Sequence, residues 1–452
     1  MKIVIAGAGE VGSHLAKMLS QSSNEIVVID SDGDRLERLE ANADVMTVEG
    51  NPTSVSTLKE AGTETADLFI AVNPSGHQEV NIVSALVAKH LGAKKVSARV
   101  NAEEYMSAEN KVMFKQMGLD FILYPEMSAA DEIVDLLKHT ATIDSMDFAR
   151  GKLQISVFRL EEDSPILEMK LIELAALVQN DNLQMRVIAV SRGSETIIPR
   201  PDFRFTYHDL VYIITTREGY EPLLKIMGKN NIEVNKVMII GGGQIGRMTA
   251  MQLNRKIDTV KLIDRDRDKC IEIAEKLDDE IQVVCGDGRN IEFLLDEGLK
   301  TYDAFIAATE SDEANVLACV VAKKFGIEKT VAQVENIEYI SLAEEMGVDA
   351  IINKKLITAS RIFKYTLSGR ARTVRYMSGT SAEALEYTVA KDSAITKGPL
   401  KDIDFPRGAV VGGVIRGNHS FIAVGDTRIE PYDRVAVFAM PESVNDVDAM
   451  FR

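Results

Sequence analysis

The feature that most constrains the fold is that the sequence repeats itself. Lys2–Gly12 reads KIVIAGAGEVG, and Lys236–Gly246 reads KVMIIGGGQIG, a shift of 234 residues. The same shift carries Asp30 to Asp264, Asn81 to Asn315, Gly92 to Gly326, Glu104 to Glu338 and Tyr105 to Tyr339. Towards the end of each copy the offset is 224: Arg192-Gly193, Asp202 and Asp209 match Arg416-Gly417, Asp426 and Asp433. Ten residues are therefore lost in the second copy, and the expected place is the stretch matching Asn110–Gln116. The unit is about 225 residues long, 1–228 and then 229–452, so one architecture must serve twice.

Each unit changes character partway. Short apolar runs at Lys2–Ala6, Glu25–Asp30, Val45–Glu49, Asp67–Ala71 and Lys95–Val100 alternate with helix-period stretches. Strands alternating with helices imply a parallel sheet covered on both faces. From Leu153 onward the strand-like runs come without such helices, at Leu153–Leu160, Met185–Ser191, Glu195–Ile198 and Leu210–Thr216, broken by Gly193 and Pro199. The expected fold is α/β: two tandem Rossmann-like parallel-sheet lobes, each followed by a small α+β lobe. The expected boundaries are 1–140, 141–228, 229–372 and 373–452.

Composition removes several function classes. The 452-residue chain is 46% hydrophobic with a net charge of −17, from 69 acidic and 52 basic residues. Such an acidic surface repels phosphate backbones, so nucleic acid is not an expected partner. No apolar run approaches the ~18–20 residues that cross a bilayer. Met1–Ala6 lacks the sections of a signal peptide, which points to the cytoplasm. Cys270, Cys285 and Cys319 form no C-x-x-C pair, and the six histidines show no H-x-x-x-H spacing. Neither a disulfide framework nor a metal site is expected. The acidic runs Glu161–Asp163 and Asp278–Glu280 lack EF-hand spacing and read as solvated turns rather than a Ca²⁺ sensor.

Both glycine loops meet the context that gives G-x-G-x-x-G its meaning: a buried-type strand before and a helix-period stretch after, Val11–Ser20 and Ile245–Asn254. The loops comprise Gly7, Ala8, Gly9, Glu10, Val11 and Gly12, then Gly241, Gly242, Gly243, Gln244, Ile245 and Gly246. The first glycine permits the tight turn, the second a close approach to pyrophosphate, and the third close helix–strand packing. A helix N-terminus then presents free N–H groups to the phosphates. Asp30 and Asp264 each lie 18 residues past the third glycine, where a carboxylate accepts from ribose hydroxyls and disfavours a 2′-phosphate. The competing role for both acids is that of a helix cap or a solvated acid at the strand end. Arg265, beside Asp264, softens the bias against a 2′-phosphate. By the rule that ligands lie outside the carboxyl ends of the strands, Asn51 and Asp287 fall near the adenine, Asn73, Pro74 and Thr309 at the fourth strand, and Arg99 at the fifth. Arg99 offers a bidentate grip on phosphate, but its counterpart is the uncharged Gln333, so the two sites should differ.

The opening Lys2–Gly12, Ala98-Arg99-Val100 followed by Glu104-Tyr105, Tyr124-Pro125-Glu126, and Ile352-Asn353 with Leu356–Ala359 resemble the TrkA family along the whole chain. These are peripheral nucleotide-binding subunits of bacterial and archaeal Trk potassium uptake systems. The resemblance implies two RCK (KTN) modules, each a Rossmann lobe, a crossover helix and a TrkA-C lobe. It implies a homotetrameric ring of such modules on the inner face of the membrane, attached through a potassium-translocating partner. It also implies regulation by NAD(H), with ATP or ADP in relatives. The family's phosphate and ribose contacts carry over to Gly7–Gly12, Asp30, Asn73, Pro74 and Arg99, and to Gly241–Gly246 and Asp264. The alternative, an NAD-dependent dehydrogenase, needs an acid–base group over the nicotinamide. The candidate His77 is replaced by Ser311 in the second copy.

Overall fold

Of the five residues in Lys2–Ala6, the last four are buried, and a strand covered on both faces belongs in the middle of a parallel sheet. In the computed structural model it does. The structure describes residues 1–452 except 21–23, 75, 150, 181–182, 194, 278–279, 364, 368–370, 378 and 381. Asp278 and Asp279 of the second acidic run thus lie outside the described residues.

The first sheet contains β1 (Lys2–Ala6), β2 (Glu25–Asp30), β3 (Met46–Glu49), β4 (Leu68–Ala71), β5 (Lys95–Arg99) and β6 (Phe121–Leu123). All pairs are parallel, in the order β3-β2-β1-β4-β5-β6. The chain winds outward one way from β1 and then the other, so a crevice opens beyond the carboxyl ends of β1 and β4.

The first small lobe is an antiparallel sheet of β7 (Asp144–Phe148), β8 (Leu153–Arg159), β9 (Met185–Arg192), β10 (Glu195–Ile197) and β11 (Leu210–Thr216). Its order is β10-β9-β11-β8-β7. β7 was not legible in the sequence, because Asp144-Ser145-Met146-Asp147-Phe148 puts polar residues where a strand signal needs apolar ones, and Asp144 and Ser145 are nevertheless buried.

The second parallel sheet repeats the first with β12 (Lys236–Ile240), β13 (Thr259–Asp264), β14 (Ile281–Cys285), β15 (Ala304–Ala307), β16 (Lys329–Gln333) and β17 (Ala350–Ile352), ordered β14-β13-β12-β15-β16-β17. The last sheet contains β18 (Ala371–Tyr376), β19 (Glu383–Thr388), β20 (Ala409–Arg416), β21 (His419–Ile422) and β22 (Arg434–Ala439). Read from the matching edge its order, β21-β20-β22-β19-β18, is that of the first small lobe.

The placement of the ten lost residues needs correcting. Ala350, which opens β17, follows Phe121 of β6 by 229, so only five are lost around Asn110–Gln116. The other five go between β8 and β9. There the helix Leu171–Asn180 has no helical counterpart, and two short 3₁₀ turns, Ala394–Thr396 and Leu400–Asp402, stand in the second copy.

The chain does not divide compactly at its repeat. One unit comprises Met1–Ser128 with Lys354–Gly369, and the other Ala129–Asn353 with Arg370–Arg452. In the first unit the helix Lys354–Phe363, which follows the second parallel sheet in sequence, packs on the helix Glu10–Ser20. Beside it Tyr365 stacks on Phe121 with centroids 3.6 Å apart. In the second unit the two antiparallel sheets share one core, in which Leu153, Ile155, Tyr212 and Ile214 meet Ala384, Ile415 and Phe438. Gly412 permits this contact, since a Cβ there would stand 2.8 Å from Ile214 Cδ1. Each small lobe is tied by the same fork: Arg192 onto Asp209 and Arg416 onto Asp433, with N–O distances of 2.8 Å. The aspartates are almost fully buried, which makes them costly to leave without a cation.

Among the described residues no helix is long and apolar enough to cross a membrane.

Candidate functional site

After β1 the chain must turn sharply to enter the helix Glu10–Ser20. Gly7 makes the turn at φ +112°, and a Cβ there would stand 2.8 Å from the Asn73 N atom. Gly12 sits so close under the turn that a Cβ would fall 1.8 Å from Gly7 O. The second loop copies both restrictions, with Gly241 at φ +101° and a would-be Cβ on Gly246 2.0 Å from Gly241 O. The outer glycines are therefore required by the turn itself, ligand or not. Gly243 is different: among the described residues nothing lies within 4 Å of a Cβ there, and Gly9 faces the Pro74 ring. Bare backbone bordering open space is the surface a phosphate group needs. Val11 and Ile245 turn into the core, Ala8 is buried, Glu10 is exposed, and Gln244 is half-buried.

Asp30 and Asp264 end β2 and β13, and both are nearly buried. Asp30 Oδ2 accepts from Ala8 N at 2.6 Å and Oδ1 from Asp32 N at 3.0 Å. Asp264 Oδ2 accepts from Gly242 N at 2.7 Å and Oδ1 from Asp266 N at 3.0 Å. Neither acid caps a helix; Asp32 and Asp266 do that, accepting from Arg35 N and Lys269 N. Each site carboxylate braces its glycine loop from behind. A carboxylate has about four acceptor positions, so lone pairs remain for hydroxyl donors. The sites differ in charge, because Lys269 Nζ lies 2.8 Å from Asp264 Oδ2. Burial pushes the Asp264 carboxyl up, but the hydrogen bonds from Lys269 and the two N–H groups outweigh it and hold the group below its ordinary value.

The ends of the fourth and fifth strands are pinned by an asparagine in each copy. Asn81 Oδ1 accepts from Asn73 N at 2.9 Å, while its Nδ2 donates to Arg99 O at 3.1 Å. Asn315 does the same for Thr309 N (3.0 Å) and Gln333 O (2.9 Å). The repeat exposed this pair, but only the structure gives it a role: it fixes the crevice wall. Asn73 and Thr309 also turn their side chains onto these asparagines. Pro74 is exposed.

Arg99 and Gln333 part company. Arg99 donates to Glu126 Oε1 at 3.1 Å, and both side chains are about nine-tenths buried. Glu126 lies in the first turn of the helix Pro125–Lys138. Gln333 instead donates to Glu335 Oε1 at 3.0 Å. In the outer crevice Asn51 folds onto Thr53. Asp287 takes a forked contact from Arg289, whose hydrogen bonds bring its carboxyl down to about 2. Arg265 is exposed beside Asp264. His77 and Ser311 occupy equivalent positions at helix N-termini, and Ser311 caps its helix by accepting from Ala314 N. Among the described residues no group of three or more His, Cys, Asp or Glu is placed to hold a metal ion.

Two copies of this braced loop match the model of the TrkA-N domain at residues 3–125 and 237–354, and the TrkA-C domain matches at 155–228 and 384–452. A Trk system potassium uptake protein TrkA homolog of Archaeoglobus fulgidus is 35% identical over the full length of both chains. The chain belongs to the TrkA family. A second TrkA homolog, from Methanosarcina mazei, is 32% identical, again over the full length of both. These relatives carry the names of potassium uptake proteins, not of enzymes. Among solved structures, the RCK domain of GsuK covers all of this chain and 95% of its own, with a TM-score of 0.59 and 18% identity. The GsuK channel bound to NAD gives 0.59 at 18% identity, covering all of this chain and 79% of its own. At that identity the likeness is one of fold, which for a TrkA-family chain is the RCK fold.

Sequence reasoning missed three partners of the site: Glu126 on Arg99, Lys269 on Asp264, and Lys355, whose Nζ lies 3.2 Å from Glu10 in the first loop. Lys269 carries a local signal, since it stands five residues after Asp264, in the first turn of the next helix. The other two join residues whose proximity no spacing announces.

Proposed function

We propose that the chain is the nucleotide-sensing regulatory subunit of a Trk-type potassium uptake system, with NAD(H) and adenine nucleotides as ligands and no catalytic step of its own. The observation that carries this is the duplicated brace, Asp30 behind Gly7–Gly12 and Asp264 behind Gly241–Gly246. It builds two crevices suited to a ribose and a pyrophosphate. The names of the full-length relatives and the NAD-bound GsuK channel support the reading.

In the first site Gly7–Gly12 with Asn73 and Pro74 would take the pyrophosphate, Arg99 a phosphate oxygen, Asp30 the ribose hydroxyls and Asn51 the adenine edge. In the second, Gly241–Gly246 and Thr309 would take the pyrophosphate, Asp264 and Arg265 the ribose, and Asp287 the adenine edge. The modules 1–140 with 141–228 and 229–372 with 373–452 would assemble into a closed ring, a homotetramer, on the cytoplasmic face of a potassium-translocating membrane subunit. A nucleotide gates such a ring only by binding two of its shapes with different affinity.

The test is calorimetric titration of NAD, NADH, ATP and ADP into the full chain and into its Asp30→Ala and Asp264→Ala variants, with light scattering of each state. Two saturable sites on a closed oligomer, each weakened by one variant, are expected. A monomer that binds none of the four rules the proposal out.

A further inference from the structure

Two of the three cysteines stand together. Cys285 is the last residue of β14, in register with Asp264, and is exposed. Cys270 lies in the helix Arg267–Lys276 and is buried. Its Sγ reaches the ends of both strands, 3.3 Å from Asp264 O and 3.8 Å from Val284 O. Cys285 Sγ points back across the same gap, 3.9 Å from Arg265 O. Both thiols thus face the gap bounded by the carbonyls of Asp264, Arg265 and Val284. Cys319 is fully buried and bonds to Val331 O. The positions matching Cys270 and Cys285 in the first copy are Leu36 and Glu49, so the thiol pair belongs to the second crevice alone.

We propose that Cys270 and Cys285 form a dithiol that closes reversibly to an intramolecular disulfide when a peroxide oxidises Cys285. The exposed Cys285 thiolate attacks one oxygen of hydrogen peroxide. The O–O bond breaks, hydroxide leaves and takes up a proton as water, and the sulfur becomes a sulfenic acid. Cys270 then gives up its proton and attacks that sulfur, the S–O bond breaks, and a second water leaves. One peroxide is reduced and two thiols are oxidised by two electrons in all; an external thiol reverses the step by exchange. The assignment of roles follows from access. Cys285 meets the oxidant, while burial, with Cys285 beside it, pushes the Cys270 thiol up to about 11, so it waits protonated as the resolving group. Lys269, next in the chain to Cys270, holds Asp264, so closure acts on the brace of the second glycine loop. The proposal is independent of which nucleotide, if any, that loop binds.

The experiment treats the reduced full chain with equimolar hydrogen peroxide, blocks remaining thiols by alkylation, and maps the peptides by mass spectrometry. The expected product is a linked pair of Cys270 and Cys285 peptides, lighter by two hydrogens than the free peptides and restored by dithiothreitol. Cys319 should be alkylated only after unfolding. In Cys270→Ser the same treatment should leave a Cys285 sulfenic acid that dimedone traps and that the parent chain does not accumulate. Two freely alkylated thiols in the treated parent chain would overturn the proposal. So would a Cys285 linkage between chains, or equal dimedone labelling of parent and variant.

Discussion

Lys355 Nζ lies 3.2 Å from the Glu10 carboxylate, joining a helix that follows the second parallel sheet to the first glycine loop. The lysine side chain is only 14% exposed, whereas the glutamate is 75% exposed. Water screens the pair from the glutamate side, so a double-mutant cycle on Glu10→Gln and Lys355→Met should give a coupling of about 1 kcal/mol or less in urea denaturation. His14 reports on the same lysine. Burial first, then Lys355, then Lys17 hold its imidazole below the ordinary value. In Lys355→Met the His14 pKa, followed by NMR, should rise towards that of an unperturbed histidine. An unchanged titration would mean that the helix Lys354–Phe363 does not sit on the first loop.

The two braces give a paired expectation. Asp30→Ala removes the acceptor of Ala8 N, and Asp264→Ala that of Gly242 N. Each also removes a charged acceptor for a ribose hydroxyl. Hydrogen bonds to charged groups are worth about 1.5–3 kcal/mol, so nucleotide affinity at the altered site should fall roughly tenfold to a hundredfold while the other site keeps its own. Asp264→Ala also frees Lys269. Titrations in which both sites weaken together would show the two crevices to be coupled.

Gly12→Ala is a steric test. The added Cβ would stand 1.8 Å from Gly7 O, so the helix Glu10–Ser20 must back away from β1 and open the turn. Overpacking of this kind costs about 1–3 kcal/mol, visible as a lowered Tm in calorimetry. The number of NADH molecules bound per chain should fall by half. Gly243→Ala meets nothing within 4 Å among the described residues, so its Tm should hold, and only ligand affinity should change.

Glu344 carries a pH prediction. Burial pushes its carboxyl from near 4.5 up to about 7, against the pull of Arg159 and with a further push from Asp144 and Glu345. The folded chain then holds a proton that the unfolded chain releases at lower pH. Stability associated with Glu344 is therefore full below about pH 4.5 and is lost as pH rises towards 7. Glu344→Gln, which stays neutral, should flatten the pH dependence of unfolding between those values and raise Tm at pH 8. The nearest Arg159–Glu344 carboxylate contact is 3.7 Å, loose enough that its loss should not cancel the gain. A variant less stable than the parent at pH 8 would contradict the assignment.

Much of the site lay open in the sequence because it is made of short-range chemistry. A turn with φ above zero and no room for a Cβ demands glycine, and the end of a buried strand places its last carboxylate at a fixed remove from that turn. Gly7, Gly12 and Asp30, and their second copies, could thus be read from spacing. So could the parallel sheets, because buried apolar runs alternating with helices admit few arrangements. β7 was hidden for the opposite reason: its Asp144 and Ser145 are buried by neighbours distant in the chain, Arg375 among them at 2.8 Å from Asp144.

What the sequence determined by itself was the repeat, the two glycine turns with their aspartates, and the inequality of Arg99 and Gln333. Only the tertiary structure decided which helix covers which sheet. The helix Lys354–Phe363 joins the unit of the first parallel sheet, while Ala129–Lys138 falls in the unit that holds the second, where Gln252 donates to Asp131 at 3.0 Å. An amphipathic helix encodes an apolar face but not its partner. In a duplicated chain both sheets offer nearly the same surface, and the choice falls to connection lengths and to contacts such as Lys355 with Glu10 and Phe121 with Tyr365, which exist only after the chain has folded.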